Sequence, residues 1–311
     1  MQVSVIIPTY KPDKRFETLI LNLAKQTYPI HQLILMNTEE KYFEKAKLKE
    51  KIKRVFPNVY LRHLRKEDFD HGGTRNLGVG LSRTDLVLLM TQDAVPVNPY
   101  LVEELIQPFL KGEKRTAISY ARQIAGKEAS FLEKNSRLFN YPKKSQNKSK
   151  KDLSRLGIKT FFASNACAMY RKEVWEELQG FPEKTIFNED MLFAAKAVQA
   201  GYRIAYCAKA KVRHFHQYTL KEQFMRNFDI GVSQAEYASI FSSVSSEDEG
   251  KKYVLDVLRG CIKNGYVQEI FPLVAQTGAK YLGYRLGKEY RRLPTKWVRA
   301  LSMNKEYWNK E

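Results

Sequence analysis

The sequence VSVIIPTYKP, residues 3–12, opens with a short β-branched run, Val3 to Ile7, that Pro8 brings to a stop. Such a run predicts a buried strand. Just after it, Asp13 is placed to cap a helix whose Phe16, Leu19, Ile20 and Leu23 share one face. A second apolar run at 33–36 lacks alternation and reads as another buried strand. A charged helical stretch from Tyr42 to Val55 and a third strand at 59–64 follow. Strand, helix, strand, helix, strand predicts a parallel sheet of the α/β class.

Farther along, DHGGTRN, residues 70–76, reads as a glycine-bearing turn before a short helix from Thr74 to Leu81. Leu86 to Met90 predicts the next strand, which ends in Thr91-Gln92-Asp93. Asn98 and Pro99 then start a helix that carries Leu101, Leu105 and Ile106 inward. Residues 143–159 hold seven basic side chains, the composition of a mobile loop. Strand character resumes at 161–170, helices are expected at 174–178 and 189–200, and 204–207 and 212–216 read as closing strands. From Leu220 the pattern is helical. The chain is thus expected to divide into an α/β domain, residues 1–219, and a basic helical region, residues 220–311.

The 311 residues include 53 Lys and Arg against 34 Asp and Glu, a formal net charge of +19. That surface suits a polyanion: nucleic acid, anionic lipid or a phosphorylated substrate. No RNP, KH or helix-turn-helix pattern accompanies the charge, so no nucleic-acid partner is expected. Cys167, Cys207 and Cys261 are scattered and form no CxxC pair. Neither a thiolate metal site nor a disulfide framework is implied, and a reducing cytoplasm is expected. No apolar run reaches the ~18 residues of a spanning helix, and MQVSVIIPTY lacks the basic start of a signal peptide.

Open parallel sheets collect ligands at the carboxyl ends of their strands. Polar residues gather at those ends here: Pro8, Thr9 and Tyr10; Asn37, Thr38 and Glu39; residues 70–76; Thr91, Gln92 and Asp93; Ser164 and Asn165. Asp93 closes an apolar strand, where a carboxylate is costly unless neutralised. It either meets a divalent cation that bridges two phosphates or caps the turn at Asn98. Glu189 and Asp190 stand in the first turn of a helix that Asn188 can cap. Acids there serve the helix dipole, and a carboxylate facing the core side of the sheet can also take a proton from a hydroxyl. His214 and His216 share a strand face, as metal or phosphate contacts or as one packed and one exposed ring. Gly72 and Gly73 precede a helix start whose N–H groups could cradle a phosphate beside Arg75, without the spacing of a P-loop. His31 and His63 have no such context.

Together, VSVIIPTYKP, TQDA after a strand, SNACAMYRKEVWEELQGFPE and FNEDMLFAAKAVQAGY resemble, over about residues 3–216, the family-2 glycosyltransferases of GT-A fold. DHGGTRN, TQDAVP, HFHQYTLKEQFMRNFDIGV and the tail KYLGYRLGKEYRRLP are similar to the bacterial rhamnosyltransferase branch that works on cell-wall or capsule polysaccharide. The resemblance implies a Rossmann-like, mostly parallel sheet, an inverting transfer, dTDP-L-rhamnose or a related nucleotide sugar as donor, a lipid-linked saccharide acceptor, and Mn2+ or Mg2+ as cofactor. It implies Asp93 as the metal-binding member of a DxD-type motif, with His214 and His216 as metal or diphosphate contacts. Asp190, beside Glu189, becomes the general base. Pro8, Thr9, Tyr10, Asn37, Gly73, Arg75, Asn76 and Gln92 fall around the donor, and Ser164 and Asn165 toward the acceptor. Two positions depart from the family's pattern: Thr91 stands at the first acidic position of DxD, and Asn37 where many relatives carry an aspartate for the base.

Residues 280–299 hold seven basic residues and one acid. Continued as a helix to Pro294, this segment lines up Leu282, Leu286, Tyr290 and Leu293 beside Arg285, Lys288 and Arg292. Such a stripe suits an anionic bilayer, packing on the rest of the chain, or a homodimer. The expected location is cytoplasmic, peripheral on the inner face of the cell membrane. A sugar nucleotidyltransferase would place glycines straight after the first strand, and VIIPTYKP has none.

Overall fold

A mixed sheet is built from β1 (Val3–Tyr10), β2 (Gln32–Thr38), β3 (Val59–Leu64), β4 (Leu86–Met90), β5 (Val95–Pro96), β6 (Thr116–Ile124), β7 (Gln146–Lys148), β8 (Cys167–Arg171) and β9 (Arg203–Arg213). Its order is β3-β2-β1-β4-β8-β6-β9-β5, with β7 beside β9. The computed structural model describes residues 1–111, 115–126, 128–214, 218–241 and 247–309. One unit, Met1–Gly126, Tyr141–Glu183 and Glu189–Phe215, holds the whole sheet; a second takes in Lys127–Asn140, Lys184–Asn188 and His216–Glu311.

The first four strands pair in parallel, with β1 between β2 and β4. The apolar runs of β1, β2 and β4 are buried because helices cover the sheet: Phe16, Leu19 and Leu23 of the helix Lys14–Ala24 and Leu105 and Ile106 of the helix Leu101–Lys111 join Val5, Ile7, Leu35 and Leu88 in one core. Asp13 caps the first of these helices by accepting from the N–H groups of Arg15 and Phe16. Parallel strands covered by helices put the ends of β1, β2 and β4 at one edge, where a site can form.

Several expectations give way. The strand β6 (TAISYARQI) was not foreseen, and β8 runs antiparallel to both β4 and β6. The two closing strands are one strand, β9, with a register shift against β6 between Ala121 and Arg122. The helical stretch from Tyr42 splits into Glu40–Lys45 and Lys49–Val55, with Lys47 at a φ of 51° between them. The helix expected from Thr74 starts earlier and spans His71–Gly80, so both glycines lie inside its first turn.

The basic segment 143–159 is not a loop. Its β7 pairs with β9, and Lys148 is buried. The Lys148 ammonium donates to the carbonyls of Lys159, at 2.9 Å, and Phe162, and lies 4.8 Å from the centre of the Tyr120 ring. Burial drives its pKa well below that of an ordinary lysine. Two carbonyls and an aromatic face replace water, which no local sequence pattern advertises.

In the second unit, the helices Leu220–Glu236 and Ile270–Lys288 pack backbone to backbone. A Cβ at Gly283 would lie 2.2 Å from Phe224 O, and one at Gly287 2.1 Å from Phe228 O. The longer tail helix ends at Lys288, and residues Tyr290–Arg292 form a 3-10 turn. The expected stripe to Leu293 is therefore broken: Tyr290 and Leu293 pack with Ile186, Phe228, Val232 and Val298 instead. Gly287→Ala forces these two backbones apart and should lower stability by about 1–3 kcal/mol, read as a loss of thermal midpoint; an unchanged midpoint contradicts this packing.

Candidate active site

Glu189 and Asp190 begin the helix Glu189–Gln199, and the loop before β8 holds them both. The Asn165 backbone N–H donates to Asp190 Oδ2 at 3.0 Å, and its side-chain amide donates to Glu189 Oε1 at 3.1 Å. Asn165 Oδ1 in turn accepts from the Tyr170 hydroxyl at 2.7 Å. Met191 N–H is taken by Asp190 Oδ1 at 2.8 Å, while the Asn188 amide donates to Ser233.

The two acids live in different surroundings. Glu189 is 7% exposed and 3.3 Å from the Arg75 guanidinium, itself buried. Burial alone would raise the Glu189 pKa, but Arg75, then His71 and the Asn165 amide outweigh it and the net shift is downward. Asp190 is partly exposed. Burial and then the neighbouring Glu189 charge push its pKa up to about 7. One carboxylate is thus held as an anion and the other is poised to exchange a proton near neutrality.

A second pair is linked to these acids through the Ser164–Asn165 segment and two hydrogen bonds. Gln123 at the end of β6 is 2% exposed; its Nε2 donates to Ser164 Oγ at 2.9 Å and its Oε1 meets His214 Nδ1 at 2.8 Å. With Nδ1 donating to Gln123, the Nε2 of His214 turns to Asp93 Oδ1, 3.5 Å away. Asp93, His214, Gln123, Ser164, Asn165 and Asp190 thereby form one connected array across the strand ends.

Around β1 and β2, Thr9 Oγ1 donates to Asn37 Oδ1 at 3.1 Å, and the Asn37 amide meets His63 Nδ1 at 2.9 Å. Asn37 is fully buried. Gln92 closes a reciprocal pair with the backbone of Tyr10, at 2.9 and 2.8 Å. The exposed Tyr10 ring stands edge-on to Tyr42, with Lys11 above both. Pro8 lies partly exposed in the same strand end.

The family described as glycosyltransferase like family 2 matches residues 1–228. The chain belongs to that family. It is 40% identical over 311 residues to the O-antigen chain rhamnosyltransferase RfbN of Salmonella typhimurium, covering 99% of this chain and 96% of that one. It is 38% identical over 309 residues to the O-antigen chain rhamnosyltransferase WbaN of Salmonella anatum, covering 98% and 95%. Among solved structures, the mannosyltransferase PcManGT of Pyrobaculum calidifontis, in complex with GDP-Man and Mn2+, superposes with a TM-score of 0.60 at 14% identity, covering all of this chain and 88% of that one. The fold is that of GT-A glycosyltransferases.

Within this family-2 glycosyltransferase, several residues expected at a ligand have their polar groups taken by the protein. Gly73 N–H donates to Asp70 Oδ1 at 2.6 Å, so it serves the helix cap instead of a phosphate, and the missing side chain of Gly72 admits the Pro182 carbonyl, 2.0 Å from where a Cβ would stand. Asn76 clamps both backbone groups of Phe181. Asn165 is 3% exposed and supports the acids from behind instead of facing an acceptor, and the Ser164 hydroxyl is held by Gln123. Arg75 gives one nitrogen to the His71 carbonyl at 2.8 Å and faces Glu189, while its Nε has no partner among the described residues. His216 lies outside the described residues. Gln123, Tyr170 and His63 were missed because their roles arise only where separate strands meet; for Gln123 the unforeseen strand β6 is the reason.

The raised Asp190 pKa has a stability consequence. Its proton is held more tightly folded than unfolded, so that stability is full below about pH 4 and is lost as pH rises through about 7. Asp190→Asn escapes this loss. Its thermal midpoint should exceed the wild type by about 2–6 °C at pH 8 and match it at pH 4; equal midpoints at both would show that Asp190 titrates as an ordinary aspartate.

Proposed function

We propose that the protein is an inverting rhamnosyltransferase that moves L-rhamnose from dTDP-L-rhamnose, or a related nucleotide sugar, to a lipid-linked saccharide during cell-surface polysaccharide synthesis. The sugar is supported by 40% and 38% identity to two O-antigen chain rhamnosyltransferases over nearly the whole chain. The mechanism is supported by one observation above the rest: hydrogen bonds from the Asp93–His214 pair through Gln123 reach Ser164, and the next residue, Asn165, donates its backbone N–H to Asp190. The sheet-bearing unit would carry the chemistry, and the basic second unit would meet the anionic inner face of the membrane where such an acceptor resides.

In this reading Asp190 accepts the proton of the acceptor hydroxyl as that oxygen bonds to the anomeric carbon. The bond from that carbon to the diphosphate oxygen breaks on the opposite face, its electron pair leaving with the nucleoside diphosphate, and the single displacement inverts the anomeric centre. A pKa near 7 suits a base that must be free at neutrality and still hold the proton. Glu189 stays ionised against Arg75, which keeps Asp190 from losing its proton too readily and holds the helix start rigid. Thr9, Tyr10 and Pro8 would line the nucleotide. Asn37, fully engaged with Thr9 and His63, would shape that wall without reading the base itself.

Asp93 and His214 would hold the Mn2+ or Mg2+. A carboxylate oxygen and an imidazole nitrogen converge there, which once deprotonated are a donor set such cations accept, and PcManGT is in complex with Mn2+. Among the described residues no group of three or more His, Cys, Asp and Glu forms a full cage, so diphosphate oxygens would complete the coordination. A bound cation supplies charge stabilisation to the departing diphosphate. Gln123 fixes the imidazole that faces it.

Two outcomes test this. In a thermal-shift panel with Mn2+, dTDP-L-rhamnose should stabilise the protein more than UDP- or GDP-linked sugars, and Asp190→Asn should keep that shift while losing at least ~100-fold in turnover. A preference for GDP-mannose would replace the sugar, and an active Asn variant would remove the base. Gln123→Leu should weaken Mn2+ binding, followed by the free-ion EPR signal, by about 10–100-fold, with Gln123→Glu restoring it because its oxygen still accepts from Nδ1; equal binding by all three would dismiss the Asp93–His214 site.

A further inference from the structure

We propose that one face of the helix Ile270–Lys288, with the turn before it, docks the protein in the plane of an anionic phospholipid bilayer. The inference deepens the membrane-bound acceptor reading above and rests on it for its purpose, while its evidence is separate.

The two sides of this helix are used differently. Gly283 and Gly287 press one side onto the backbone of the helix Leu220–Glu236. Elsewhere around the helix, Phe271 is 81% exposed, Val274 61%, Tyr281 51% and Leu282 57%, and Val267 just before it is 62% exposed. Spacings of three and four put these on one surface. Gly278 falls between them, with nothing within 4 Å of where its Cβ would be, so no other part of the described chain covers the helix there. Single exposed apolar residues are ordinary; several on one face, led by an almost bare phenylalanine, make a surface shaped for an apolar phase.

Charge decides what covers it. Residues 251–305 contain twelve Lys and Arg against three acids. Arg285 and Lys288 continue the helix past Leu282, both exposed, where their long stems can lie along apolar surface and their heads reach phosphate. A second copy of this chain would bring an equally cationic rim against the first, and like charges repel; an anionic lipid surface meets both the apolar row and the cations. Tyr281 and the 62% exposed Trp297 suit the headgroup level. No described helix is long and apolar enough to cross a membrane, so this one lies flat.

The full-length protein should float with phosphatidylglycerol-containing vesicles and not with pure phosphatidylcholine ones, and added salt should release it. Phe271→Asp/Val274→Asp, at positions too exposed to matter for folding, should cut the bound fraction at least tenfold with no change of thermal midpoint. Arg285→Gln/Lys288→Gln should weaken binding to the anionic vesicles by about thirtyfold. The proposal is overturned if the wild type ignores anionic vesicles, binds neutral ones equally, or is matched by the Asp variant. It is also overturned if sedimentation shows a dimer that the Asp variant splits, which gives the face to a second copy. Binding is read without donor or acceptor, so a failed sugar assignment leaves this result standing, and failed flotation leaves the transferase chemistry untouched.

Discussion

Asn165 sits behind two adjacent acids and holds them with different parts of itself, its backbone on Asp190 and its amide on Glu189. Two carboxylates side by side at a helix start repel each other and lose hydration, so such a pair persists only if one charge is compensated. Arg75 compensates Glu189. The cost then falls on Asp190, whose proton affinity rises into the range where a base is useful. The rest of the site depends on that asymmetry, and Tyr170, bonded to Asn165 from within β8, keeps the supporting amide from turning.

From Ser164, next to Asn165, the array passes through Gln123 to His214 and Asp93. Each link comes from a different element: β6, the end of β9 and the turn after β4. The two ends of the proposed reaction, where charge would leave and where the proton would leave, are tied to one framework that the antiparallel β8 and the parallel β9 bring together. A polar array this well satisfied resists small displacements, and catalysis by positioned groups is sensitive to displacements of that size.

The second unit solves a different problem with the same economy. Glycines let two helices share a backbone-close contact, which leaves the opposite side of one helix free of any duty to the core. An apolar row can then remain on the surface without weakening the fold. Tyr290 and Leu293 illustrate the converse: with the helix ended at Lys288, they turn inward to Phe228 and Val232.

Much was legible in the sequence because it was local. The parallel β1–β4 half, the Asp13 cap, the first-turn position of Glu189 and Asp190 and the helical tail follow from periodicity, capping and apolar runs within a dozen residues. The resemblance to family-2 glycosyltransferases rested on motifs equally short. What a side chain faces is not local. Whether Gly73 offers its N–H to a phosphate or to Asp70, whether Asn165 meets an acceptor or props two acids, and whether Lys148 waves in water or lies among aromatic rings depend on partners far along the chain. The sequence by itself determined the elements and the kinds of chemistry at their ends. Only the tertiary structure decided which of two neighbouring acids holds its proton more tightly, because desolvation and Coulomb energy are set by what surrounds a charge and not by its neighbours in the chain.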